Sequence, residues 1–195
     1  MSNVLKDGTG KAFQAKVGDK NRLHTHSLAA DISAVASISG DAFNVSSNLV
    51  TLTNTSESVL LYFKNLEEDD ISITTEFVNI GTSTGAGSTK GIMKFYIDGT
   101  SGTIIDNALP AQVINRRIGN GNTLDGNIYR GVQGDTLTGG DTITIPTSGG
   151  AIASEYILPK GKSFALSYTP AAGNTSISLQ IGFLIIKSYS TYTVD

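Results

Sequence analysis

The sequence predicts an all-β protein, a β-sandwich or jelly-roll-like body preceded by an N-terminal hairpin arm and one short helix. Three observations carry that expectation. Strand-like runs recur at roughly 8–12-residue spacing, eight or more of them, separated by turn residues. The composition is rich in Ser, Thr and Gly (22 glycines) and only 16% charged, against about 25% in typical globular domains. The last long run, Ser176 to Lys187, places Ile177, Leu179, Ile181, Phe183 and Ile185 on one face, the period-2 pattern of a strand with one buried side.

The elements follow in order. Lys11 to Val17 alternates, with Phe13, Ala15 and Val17 opposite Gln14 and Lys16. Gly18-Asp19-Lys20-Asn21 is turn chemistry, and Arg22 to His26 returns, so Val4 to Ser27 reads as a hairpin. Two strands alone bury too little apolar surface to persist in water, so this hairpin needs a host surface. Ser27 to Ala36 reads as the chain's one helix, with Leu28, Ile32, Val35 and Ala36 on a stripe, Ser27 as cap and Gly40 beyond its end.

From Asp41 the pattern is strands. Ala42–Val45 and Leu49–Leu52 flank Ser46-Ser47-Asn48 and predict a hairpin. Ser58 to Lys64 is a continuous apolar run, as in a strand covered on both faces, and Leu66 to Asp70 (LEEDD) is an acidic turn. Ile71 to Ile80 alternates; Gly81 to Thr89 reads as a flexible loop of small residues; Lys90 to Asp98 alternates again, with Ile92, Lys94 and Tyr96 opposite Met93, Phe95 and Ile97. Residues 99–150 are less regular, with an Asn/Gly-dense excursion from Asn115 to Gly134 and a strand from Asp141 closed by Pro146. Long excursions of this kind are usually functional when they are ordered. Ala153–Leu158, a Pro159–Lys162 turn, Ser163–Tyr168, a Thr169–Thr175 turn and the final strand complete the body. The expected division is a docking arm at 1–40 and a β-sandwich domain at 41–195. At this size a single core buries roughly 70% of the unfolded surface and needs no staples.

Composition also bounds function. A net charge of −3 with scattered basic residues argues against nucleic-acid binding, which needs clustered Lys and Arg on phosphates. Without cysteine there are no disulfides, thiolate metal sites or Cys nucleophiles. No basic-then-apolar leader opens the sequence and no apolar run approaches ~18 residues, which predicts a soluble protein made in a cytosol with no membrane partner. No G-x-S-x-G context supports a serine nucleophile. Consecutive Glu67, Glu68, Asp69 and Asp70 do not face one another across a cleft as paired-carboxylate chemistry requires, so a solvated turn is expected there. An enzyme is not expected. The oxygen ligands of Asn120 to Asp125 offer a calcium reading, although their spacing does not match an EF-hand.

His24-x-His26 puts both imidazoles on one face of the return strand. Imidazole suits zinc, iron or nickel, but one chain supplies too few ligands for a stable site. A metal ion at His24 and His26 is expected only if the protein is trimeric, with the histidines of three chains around an axis. The alternative is that both are polar surface. Tyr189 and Tyr192 in the tail fit either an edge strand or a partner contact.

The opening VLKDGTGKAFQAKVGDKNRLHTHS resembles the N-termini of tailed-bacteriophage virion proteins, which begin with Lys-Asp-Gly-Thr-Gly, a short strand and an Arg-Leu-His-x-His-like return. Leu158-Pro159-Lys160-Gly161 and Thr169-Pro170-Ala171-Ala172-Gly173-Asn174-Thr175 before a long apolar strand are similar to that group as well. The resemblance implies a virion structural protein of the capsid-decoration or head-fibre kind. It would dock on the major capsid protein, or on other virion subunits, through the arm, with Leu5, Lys6, Asp7, Phe13, Lys16, Arg22 and Leu23 at the contact. A homotrimer is implied by the same analogy. The alternative is a tail or fibre component whose sandwich binds a host receptor or glycan; a glycan-acting enzyme is the third reading.

Overall fold

The computed structural model describes residues 32–85, 91–119, 121–146 and 155–187. Residues 1–31 of the expected arm, including His24 and His26, and the tyrosine-bearing tail lie outside them. Residues 32–195 make one compact unit that begins at the first helix.

That helix, α1 (Ile32–Ser39), ends where the sequence predicts: Gly40 takes φ 86°, and the amides of Gly40 and Asp41 both donate to the Ala36 carbonyl. A left-handed glycine is the usual way to close a helix C-terminus. The expected stripe holds at Ala36 but not at Val35. Ala36 is buried against Ala42, Leu184 and Ile186, whereas Val35 is half-exposed and Ile38 is 73% exposed. The small residue faces the sheet and the bulky ones face out.

Eleven strands follow among the described residues: β1 (Ala42–Ser46), β2 (Val50–Leu52), β3 (Ser58–Asn65), β4 (Ile71–Gly85), β5 (Gly91–Ile97), β6 (Gln112–Asn115), β7 (Gly126–Arg130), β8 (Asp141–Pro146), β9 (Glu155–Leu158), β10 (Ser163–Pro170) and β11 (Asn174–Lys187). One sheet runs β6-β1-β11-β4-β9, with β2 also on β11, and the other runs β7-β3-β10-β5-β8. Every pairing is antiparallel. With β2, β6 and β7 set aside, the eight remaining strands take the order 1-8-3-6 in one sheet and 2-7-4-5 in the other. That is the jelly roll, two interlocked Greek keys folded into a sandwich.

The core lies between the sheets. β11 contributes Ile177, Leu179, Ile181, Phe183 and Ile185, all fully buried, as the alternation predicts. Phe164 of β10 bridges the layers, its ring 5.3 Å from Phe183, 5.6 Å from Phe95 and 5.2 Å from Tyr156. β3 is buried along nearly its whole length because its outer face is covered too. There Val59, Tyr62, Tyr96, Ala165, Ile104 and Leu137 form a second, smaller cluster.

Three elements differ from expectation. β1 and β2 are not a hairpin: both pair with β11, Ala42–Ser46 against Gly182–Ile186 and Val50–Leu52 against Ile177–Leu179. They run along the same side of β11 as one line interrupted where Asn48 takes φ 62°. Gly81 to Gly85 is not loop but the continuation of β4, paired with the first residues of β11. Those pairings are made by the backbone, so small side chains do not prevent them. Thr103–Asn107 is a second helix, α2, too short to show periodicity, held by the buried Ile104 and closed by Ala108 at φ 48°.

The described residues of the excursion, 99–119 and 121–140, have a definite job in the fold. They are stapled at the base by the Ser101–Thr138 bridge, with Thr100 and Thr138 amides donating to Thr138 and Ser101 carbonyls. β6 adds to the edge of one sheet beside β1, and β7 adds to the edge of the other beside β3. The chain between them crosses from layer to layer on that side, bringing Ala111, Leu124 and Ile128 against the main core. The outer sides of β1 and β3 are thereby paired, and β6 and β7 become the end strands of their sheets.

Candidate functional site

Two side-chain clusters and one surface stand out among the described residues. The first cluster lies on the outer face of the second sheet. Lys94 and Tyr96 are two apart on β5 and share that face; β10 places Ser167 beside Lys94 in register; Glu57 enters from just before β3. The Glu57 carboxylate accepts from Lys94 Nζ at 2.7 Å, Tyr96 Oη at 2.7 Å and Ser167 Oγ at 2.6 Å. Burial alone raises its pKa, but the hydrogen bonds from Lys94, Ser167 and Tyr96, with the Lys94 charge, outweigh it and hold the carboxyl below its ordinary value. Glu57 raises Lys94 against a smaller opposing effect of burial. Tyr96 is raised by burial and then by Glu57. The pair is therefore fully ionised at neutral pH. A protonated lysine is no nucleophile and a lowered carboxylate no general acid. The cluster acts as a clasp that fixes the chain before β3 to the sheet.

The second cluster holds the excursion. Asp135 is 3% exposed and its carboxylate accepts from Asn107 Nδ2 at 2.8 Å, Thr103 Oγ1 at 3.1 Å and the Val132 amide at 2.8 Å. Its backbone carbonyl takes the Val59 amide at 2.8 Å. A buried carboxylate is tolerated when its lone pairs are filled in this way.

The surface is the corner where α1, β6 and the end of β11 meet the LEEDD turn. Asn115 Nδ2 donates to the Gly40 carbonyl at 2.8 Å and to that of Asn122 at 3.3 Å, the Arg116 amide donates to Ala42, and Lys187's amide donates to Asp41. Lys187 Nζ reaches Glu67 Oε1 and the Thr123 carbonyl, each at 2.7 Å, and the Asp125 amide donates to the same Glu67 oxygen at 2.6 Å. So the 116–125 segment and the acidic turn touch at Glu67. The turn itself is fixed from below by buried Asn65, whose amide donates to Asp69 and Leu158 carbonyls while its Oδ1 accepts the Glu67 amide. Around this frame Ile38, Ile114 and Ile118 are exposed, Ile118 to 99%.

These positions revise several expectations. Glu67 and Glu68 are paired, with Lys187 and with Lys160 at 2.6 Å, rather than merely solvated. Beside the acidic turn, the Thr123 carbonyl accepts from the Lys187 ammonium. Among the described residues no group of three or more His, Asp or Glu side chains is placed to hold a metal ion, and no helix is long and apolar enough to cross a membrane. The sequence-predicted contact residues Leu5, Lys6, Asp7, Phe13, Lys16, Arg22 and Leu23, and the histidines His24 and His26, fall outside the described residues. Glu57 and Asp135 were missed because their partners are brought together only by strand register and by the closed excursion. The one readable signal was Lys94 and Tyr96 on a common strand face. Compared with known proteins, the chain matches no protein-family model, no curated protein and no solved structure.

Proposed function

We propose that the chain is a non-enzymatic structural subunit of a tailed-phage virion, a capsid decoration or cement protein working as a homotrimer. The observation that carries this reading is the jelly-roll strand order in a body whose excursion is tied down at both sheet edges, taken with the N-terminal resemblance. Jelly rolls serve as capsid domains and as lectins, and fold alone does not choose between such roles. The N-terminal resemblance favours the capsid role. The arm, through Leu5, Lys6, Asp7, Phe13, Lys16, Arg22 and Leu23, docks on the major capsid lattice, and the sandwich stands on it. Interface spread over neighbouring capsid subunits then resists internal pressure.

Quantitative mass spectrometry of purified virions tests this. Copies in the hundreds support a decoration role; a handful moves the protein to a tail or fibre; absence from virions overturns the reading. A chain lacking residues 1–27 should fold but no longer bind capsids, and retained binding would disprove the docking arm. The His24/His26 metal belongs to the trimer: chelation should dissociate it and added metal restore it. Trimers unchanged by His24→Ala/His26→Ala would remove the metal from the proposal.

A further inference from the structure

The corner around Glu67 carries complementary groups that the molecule itself leaves unused. On one side, Ile114 of β6 points away from the core beside Asn44, and Ile118 at the tip of the next turn is almost fully exposed. Arg117 is exposed there; its amide is bound by Asn115 Oδ1 at 2.8 Å, but its guanidinium has no partner among the described residues. On the other side, Leu66 is 38% exposed, and Asp69 and Asp70 are exposed with carboxylates that have no partner among the described residues. The two loops touch at Glu67 and Asp125, yet Arg117 does not turn inward to the aspartates. Exposed isoleucines in a cluster are informative where single ones are not.

We infer that this corner docks a second copy of the chain, Ile114, Ile118 and Arg117 of one copy meeting Leu66, Asp69 and Asp70 of the next. A foreign partner would have to supply an acidic, leucine-bearing turn, and the chain already presents one, held rigid by Asn65. Pre-ordered loops lose little entropy on binding. Copies that exchange these two halves form a closed assembly where the rotation relating one copy to the next closes about an axis. This rests on the homotrimeric part of the proposed function and gives it a surface.

The test is the mass and self-association constant of the full chain in solution, by sedimentation equilibrium, with thermal melts confirming the fold of each variant. The wild type should form a closed oligomer that weakens with salt, as charge pairing requires. Ile118→Asp and Arg117→Glu should each weaken association about ten-fold or more, and Arg117→Glu combined with Asp69→Arg/Asp70→Arg should restore it. A wild-type monomer throughout the micromolar range, an oligomer indifferent to both single changes, or no recovery in the charge-swapped variant would overturn the inference. These measurements use no virions. A wild-type monomer that still enters virions would sink the inference and the trimer but leave the virion role standing, and a robust wild-type oligomer absent from virions would sink only the proposed function.

Discussion

Lys187, the last residue of β11, sits 2.7 Å from Glu67 and equally close to the Thr123 carbonyl, so one ammonium joins the end of the central strand to two loops. Both side chains of the pair are mostly buried, 22% and 15% exposed. Removing one partner leaves the other charge poorly solvated. Lys187→Met should therefore cost about 1–2 kcal/mol and speed amide exchange in residues 121–125 more than in the strands. Unchanged exchange there would mean the backbone bonds alone hold the loop.

Glu57 gives a pH signature. Its folded pKa lies below its ordinary value, since hydrogen bonds and the Lys94 charge outweigh burial. A carboxylate lowered on folding contributes stability that is complete above its unfolded pKa, about 4.3, and is lost as pH falls through the folded value. Glu57→Gln should be less stable than wild type by about 1–2 kcal/mol at pH 7, allowing for partial solvent screening. The gap should stay constant down to about pH 4.5 and then narrow. Melting both proteins across pH checks it; a gap that widened in acid would contradict the assignment.

Two glycines of the excursion separate close approach from backbone conformation. A Cβ on Gly131 would lie 1.8 Å from the Val59 carbonyl oxygen, and the Gly131 amide donates to Leu60 at 2.9 Å, so the strand cannot move away freely. Gly119 has φ 80° but open space around it. Gly131→Ala should cost about 3 kcal/mol or more through overpacking, and Gly119→Ala only about 1 kcal/mol through its left-handed backbone. Denaturant midpoints of the two variants should differ in that order.

What the sequence revealed was decided by side-chain pattern. Ile177 to Ile185 alternate apolar residues because one face of β11 meets the core, and Val59 to Phe63 run apolar because both faces of β3 are covered. Neither needs a distant partner to be recognised. The features that stayed hidden are backbone or register effects. Gly81–Gly85 is strand because β11 lies beside it, some ninety residues away in sequence. β1 and β2 form one line because Asn48 turns left-handed without reversing the chain. Of the helix stripe, Ala36 makes the expected inward contact, with Ala42, Leu184 and Ile186, whereas Val35 is half-exposed. At the clasp, Lys94 and Tyr96 were visible as neighbours on one face, whereas Glu57 and Ser167 reach them only after three strands align.

Asp135 tests whether the excursion is a part of the sandwich or an appendage on it. Its carboxylate binds α2 through Thr103 and Asn107 and its own loop through the Val132 amide, while its carbonyl binds β3 at Val59. Asp135→Ala removes the carboxylate acceptor from three donors beside a buried cluster and should cost about 2–4 kcal/mol. Asp135→Asn keeps the volume, but its amide nitrogen must face a donor that an oxygen now accepts from, so it recovers part of that loss and not all of it. Because Ile104 and Leu137 cover the outer face of the second sheet, weakening the latch should expose that apolar face together with the excursion. Limited proteolysis of Asp135→Ala should then cut first between residues 99 and 140, and the cut protein should melt with the strands rather than before them. A cut chain whose sandwich kept its full melting temperature would show that β6 and β7 are dispensable, and that the jelly roll stands without them.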